Sequence, residues 1–206
     1  MNALILEGGT FRPIFSCGVM DALLDNDVNF DYVIGVSAGI TDGVSYVSKQ
    51  KKRNYHILMN HRHDKRYVGL RNYLTDRSLF GLKYAYETIP KEIYPFDWET
   101  YRNNPTEVRV GVTNAETGEA EYLDGKDLEE TCGMLKATCA IPFVFPAIEL
   151  NGKKYYDGGI CDPIPVRKAE ADGHPKMLIV LTRPKGYIKT LSKANVAAAK
   201  ALRKKF

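Results

Sequence analysis

The 206-residue chain has no long hydrophobic run. Nothing in it approaches the roughly 18 consecutive apolar residues that a membrane-spanning helix needs. No secretory leader is expected either, because Met1-Asn2-Ala3-Leu4-Ile5-Leu6-Glu7 has no basic residue ahead of its apolar stretch and meets an acid almost at once. Cysteine is sparse. Cys17, Cys132, Cys139 and Cys161 are scattered, with no C-x-x-C pair and no histidine at zinc spacing. That excludes a disulfide scaffold and a zinc ribbon, and fits reduced thiols in a cytoplasmic protein. Neither the G-x-G-x-x-G of a dinucleotide site nor the Lys-Ser/Thr of a P-loop is present. The length suits one substantial α/β domain.

Charge is unevenly spread. The net value of +4 hides eight Lys/Arg against the single acid Asp64 between Lys49 and Arg71, and seven Lys/Arg with no acid from Lys185 onward. Two readings stay open: an anionic surface as partner, either membrane headgroups or nucleic acid, or two solvated helical faces. Of the two surfaces, contact peripheral to the inner face of a membrane is the one expected. No nucleic-acid partner is expected.

The order of elements points to alternating strands and helices. Asn2–Glu7 and Asp31–Val36 read as buried strands. Ile14–Asp25, opened by Pro13, and Ala38–Ser48 read as helices. The Tyr-, Arg- and Lys-rich region 49–101 is harder to assign. Helices are expected near Tyr55–Asn60 and Gly81–Thr88, with Pro90 and Pro95 breaking the pattern afterwards. Glu107–Thr113 and Glu119–Leu123 form a predicted hairpin. Asp127–Thr138 reads as a helix with Cys132 and Cys139 on one face. Ile148–Leu150 and Lys154–Tyr156 turn at Asn151-Gly152. Pro165–Ala171 reads as a short helix, Met177–Thr182 as a last buried strand, and Ser192–Lys205 as helical. The pattern implies an α/β layered fold with a mostly parallel sheet.

Three short segments carry chemistry. Gly35-Val36-Ser37-Ala38-Gly39 is a G-x-S-x-G placed between a strand and a helix, the context of a nucleophile elbow. A sharp turn there presents the Ser37 hydroxyl at a helix N-terminus; the bland reading is a small-residue turn that permits close packing. A serine needs a base. His56, His61 and His63 lie in the basic segment, and His174 precedes the last strand, at the wrong end of a parallel sheet for a site. Asp157, in Tyr155-Tyr156-Asp157-Gly158-Gly159, remains. An aspartate titrates near pH 3.9 and becomes a better base when burial raises that value; Phe143, Phe145 and Tyr156 are candidate walls. The third segment is Leu6-Glu7-Gly8-Gly9-Thr10-Phe11-Arg12-Pro13, where glycines after the first strand can aim backbone N–H groups into an oxyanion hole.

Together these segments resemble the patatin-like phospholipase family, particularly its bacterial members. That family has a glycine-rich oxyanion loop, a G-x-S-x-G elbow and a later D-G-[GA], in this order. Thr138-Cys139-Ala140-Ile141-Pro142 and the stretch Tyr156–Pro165 are similar to family text as well. The resemblance implies a three-layer α/β/α domain over 1–184 that hydrolyses fatty acyl esters without cofactor or metal. Ser37 and Asp157 are then the catalytic dyad and Gly8, Gly9 and Thr10 the oxyanion hole, supported by Arg12, Gly35, Gly39, Gly158 and Gly159. Residues 185–206 are expected to form a basic C-terminal helix, the start of a truncated region. Thr10 and Pro13 replace glycines of the family's loop. This motivates a rival reading, a catalytically weakened lipid-binding protein; a second rival is a binder of an anionic ligand.

Overall fold

The computed structural model describes residues 2–188 and Lys200. Its centre is a sheet of β1 (Asn2–Leu6), β2 (Tyr32–Val36), β3 (Glu107–Asn114), β4 (Ala120–Asp124), β5 (Ile148–Leu150), β6 (Lys153–Asp157) and β7 (Lys176–Val180). β7, β1, β2 and β3 pair in parallel. β4 and β6 both run antiparallel to β3, and β5 antiparallel to β6. All strands but β4 and β6 therefore point the same way, a mixed and mostly parallel sheet.

Period-two alternation divides the core. Leu4 and Leu6 of β1 join Val33, Val108 and Val110 on one face. Against them pack Met20 of α1 (Ile14–Asp25), Ile40 and Val44 of α2 (Ser37–Val47), and helices that follow later in the chain. Ala3 and Ile5 point to the other face, where Tyr32 and Ile34 meet Ala169 of a short helix near the end of the described chain. The result is the three-layer α/β/α arrangement, with one thick helical layer and one thin.

The region 49–101 departs most from expectation. It contains α3 (Arg53–His61), α4 (Leu70–Asp76), a π-helix (Tyr84–Ile93) and α5 (Trp98–Asn103). α4 and α5 were not foreseen. The helix expected at Gly81–Thr88 starts later and runs through Pro90. In an α-helix the ring of Pro90 would strike the carbonyl four residues back, and the wider π winding relieves that clash. The predicted helix over Asp127–Thr138 is reduced to α6 (Gly133–Thr138), because Cys132 takes the left-handed conformation (φ 53°) and interrupts it. Cys132 and Cys139 therefore flank α6 as its caps. The Asn151-Gly152 turn is as expected, both residues at positive φ (51° and 78°). The thin layer is α7 (Val166–Ala171). The predicted helix Ser192–Lys205 falls outside the described residues, apart from Lys200, and 185–188 are turn and coil.

Candidate active site

The β2–α2 junction is a strained elbow. Val36 ends its strand extended (φ −133°), and Ser37 turns abruptly to φ 53°. For a residue with a side chain this left-handed geometry costs on the order of 1–2 kcal/mol. Close packing on the end of β1 dictates the flanking glycines: a Cβ on Gly35 would stand 2.8 Å from the Leu6 carbonyl oxygen, and one on Gly39 2.6 Å from that of Glu7. Gly8, in the loop after β1, lies against the serine itself, since its Cβ would fall 2.8 Å from the Ser37 Cβ.

Strand register brings Asp157 to the same place. β4 shares partners Arg109 to Gly111 with β2, and Val112 and Thr113 with β6. A strand has only two edges, so β2 and β6 occupy one edge of β3, end to end. Val36 faces Gly111 and Asp157 faces Val112, the next residue along. The two strands abut where Ser37 leaves one and Asp157 closes the other. Gly158 permits the fit, as a Cβ there would come within 2.2 Å of the Gly111 carbonyl oxygen. The Thr138 hydroxyl locks the junction, accepting from Ser37 N–H (2.8 Å) and donating to Gly111 C=O (2.6 Å). The Asp157 backbone donates to Ala140 C=O (3.0 Å) and accepts from the Thr113 hydroxyl (2.9 Å).

The Asp157 carboxyl is buried and accepts the Gly159 N–H at 2.8 Å. Burial pushes its pKa up to about 6, while the neighbouring Ser37 hydroxyl and the Gly159 N–H pull it down. The two side chains adjoin closely enough for the hydroxyl to act on that pKa, without a hydrogen bond of full geometry. The Cys139 thiol also borders Ser37 and Asp157. It lies 3.4 Å from the Thr41 hydroxyl, and burial raises its pKa to about 11.

The glycine loop is held by its carbonyl side. Thr182 Oγ1 donates to Gly8 C=O (3.0 Å) and accepts from Arg12 Nε (3.2 Å), and the Thr182 N–H donates to the Glu7 carboxylate (2.6 Å). Among the described residues, the N–H groups of Gly8, Gly9, Thr10 and Phe11 have no protein acceptor. Gly9 sits at φ 149° with Arg12 folded over it, where a Cβ would meet the guanidinium at 2.5 Å. Thr10 adopts φ 57° despite its branched side chain, and Pro13 caps α1 in a helical conformation (φ −59°). Thr10 thus carries left-handed strain, while Pro13 sits at a φ natural to its ring.

Sequence reasoning missed Thr182, which nothing local marks, and the clamp role of Thr138. It also placed Phe143 among the walls around Asp157, whereas Phe143 takes a left-handed turn (φ 69°) and is 48% exposed, so that candidate wall is open to solvent. Phe145 is buried and packs on Phe80. His174 is buried beside Tyr32 at the start of β2, at the opposite end of the sheet from Ser37. His61 meets the Tyr84 hydroxyl at 3.0 Å. The basic segment is not one solvated face. Arg53 turns inward to Tyr94 C=O and Ser45, and Lys51 pairs with Asp25.

Behind the site an apolar cavity of about 80 Å³ is walled by Thr41, Leu58, Tyr86, Ile89, Phe96 and Leu135. Thr41 joins it to Ser37, since its hydroxyl donates to Ser37 C=O at 3.1 Å. At one side stands Asp42, buried against the Cys17 thiol (3.3 Å), its pKa raised to about 7 by desolvation.

Among known proteins, the uncharacterised protein YjjU of Escherichia coli (strain K12) is 25% identical over 188 residues, which are 88% of this chain and 52% of that protein. The crystal structure of VipD from Legionella pneumophila superposes with a TM-score of 0.49 at 18% identity, covering 98% of this chain and 52% of that one. The chain thus spans about half the length of either. No helix among the described residues is long and apolar enough to cross a membrane. The sequence model of the patatin-like phospholipase family matches residues 4–170, and the chain belongs to that family.

Proposed function

We propose that the protein is a serine acyl hydrolase of the phospholipase A or lipid esterase type, cleaving fatty acyl esters through a Ser37–Asp157 dyad. The observation that carries this reading is the end-to-end meeting of β2 and β6 on β3, which sets a strained serine beside a buried carboxylate. Asp157 takes the proton of Ser37 as the hydroxyl attacks the acyl carbonyl. A carboxylate with a pKa near 6 is ionised at neutral pH yet a better base than an exposed aspartate. The unengaged N–H groups of Gly8, Gly9 and Thr10 receive the oxyanion. The alcohol leaves with the proton, and water, deprotonated by Asp157, releases the acyl group from Ser37. The cavity beyond Thr41 suits the apolar acyl chain.

The test is labelling with a fluorophosphonate probe, wild type beside Ser37→Ala and Asp157→Asn. Labelling of the wild type alone is the expected result. A folded wild type that does not label would leave the weakened lipid binder as the better reading, with the strained Thr10 as its cause. Labelling or ester hydrolysis that survives both substitutions would sink the dyad.

A further inference from the structure

α4 has no structural occupation. None of its residues is buried. Leu70 and Leu74, one turn apart on the same face, are 80% and 82% exposed, with Tyr73 beside them. The helix is tethered by one side chain, Asn72, whose amide reaches the carbonyls of Lys65, Arg66 and Leu79. A seven-residue helix that contributes nothing to the core and turns two leucines to water presents an unpartnered apolar face.

Its position is specific. Gly69 N–H, at the start of α4, bonds to Leu79 C=O, and Leu79 N–H bonds to Val144 C=O in the Phe143–Phe145 loop. Phe80 packs between Phe11, next to the oxyanion glycines, and Phe145 (ring centroids 6.1 and 5.4 Å). α4 is thus mounted beside the glycine loop, near the exposed Phe11 and Phe143. Around it the charge has one dominant sign. From Arg62 to Arg77 there are five basic residues against Asp64 and Asp76, and Asp64 is engaged by Arg66 (2.7 Å).

We propose that α4 and its flanking basic residues are the element by which this chain docks on an anionic lipid surface, Leu70 and Leu74 entering the acyl boundary beside the mouth of the site. Apolar side chains that insert, ringed by Lys and Arg that meet headgroups, are the chemistry of an interfacial helix. Charge argues against the other occupants. A second copy would bring the same basic ring, and the chain after Lys185 carries basic residues and no acid. The proposal gives the acyl hydrolase reading its access to substrate, and rests on that reading for its purpose only.

The experiment is co-sedimentation of the full chain with phosphatidylglycerol-containing vesicles and with purely phosphatidylcholine vesicles, for wild type, Ser37→Ala and the double variant Leu70→Asp/Leu74→Asp. Melting curves confirm that each is folded. Wild type and Ser37→Ala are expected to bind anionic vesicles alike and at least tenfold more tightly than neutral ones, and the double variant to lose at least tenfold. Binding by Ser37→Ala keeps this outcome separate from whether the chain hydrolyses anything. Undiminished binding by the folded double variant, or equal binding to both vesicle types, overturns the proposal. So does concentration-dependent dimerisation abolished by the leucine substitutions, which would assign the face to a second copy.

Discussion

Replacing Asp157 by Asn is predicted to make the protein more stable at neutral pH while removing the proposed hydrolase activity. A buried acid whose pKa lies near 6, against an ordinary 3.8, holds its proton more tightly folded than unfolded. Between about pH 4 and pH 6 the native state therefore binds more protons, and stability falls as pH rises through that window. The shift of about two units corresponds to about 3 kcal/mol by the end of it. Asparagine carries no charge to desolvate and still accepts the Gly159 N–H. The stability difference between Asp157→Asn and wild type should be near zero below about pH 4 and grow to about 3 kcal/mol by pH 7. Urea denaturation at pH 4, 5.5 and 8 reads this directly. With a slope of about 2–3 kcal/mol/M the midpoint gap at pH 8 is about 1–1.5 M. Asp42 titrates in an overlapping range, but it is common to both proteins and cancels in the difference. A gap that does not change with pH, or a variant that is weaker at pH 8, would refute the burial argument.

The same carboxyl gives a pH profile: Ser37 labelling by a fluorophosphonate should rise through about pH 6 as Asp157 ionises, then level off, and a profile flat from pH 5 to 8 would exclude it as the base. Gly39→Ala should destabilise by about 1–3 kcal/mol or more, since its Cβ meets backbone of β1 rather than a side chain that can move; thermal melting checks this. Thr138→Val keeps the shape but strands Ser37 N–H and Gly111 C=O. It should cost about 2 kcal/mol in urea and slow labelling together. Thr182→Val frees the Gly8 carbonyl and should slow labelling by about tenfold with a smaller loss of stability, because the loop it clamps lies outside the core.

Some of this molecule could be read from the chain, and the reason lies in how far each constraint reaches. The glycines around Ser37 and Asp157 are forced by close approaches within a turn, so they leave a motif. The strands and α1 follow local periodicity, and Ile14–Asp25 is found where it was expected. Thr182 is 174 residues from the glycine carbonyl it holds and has no local signature. α4 escaped because its leucines face water, so the assumption that apolar residues point inward works against it. Arg53 shows the converse. It sits in a basic run that looked solvent-facing, yet its guanidinium is spent on Tyr94 C=O and Ser45 inside the fold. The π-helix through Pro90 defeated a rule that treats internal proline as a stop.

The shared edge of β3 makes catalytic competence a late product of folding under this mechanism. The elbow is complete once β1, β2 and α2 have associated, all within the first 47 residues. Its base arrives 120 positions later, and only if β6 docks in register, since a slip by one residue would move Asp157 about 3.3 Å and turn its side chain to the other face. A nascent or half-assembled chain would thus carry a serine with no partner and be inert under the proposed mechanism. Under that mechanism, any hydrolysis would itself certify that the last antiparallel strand has closed.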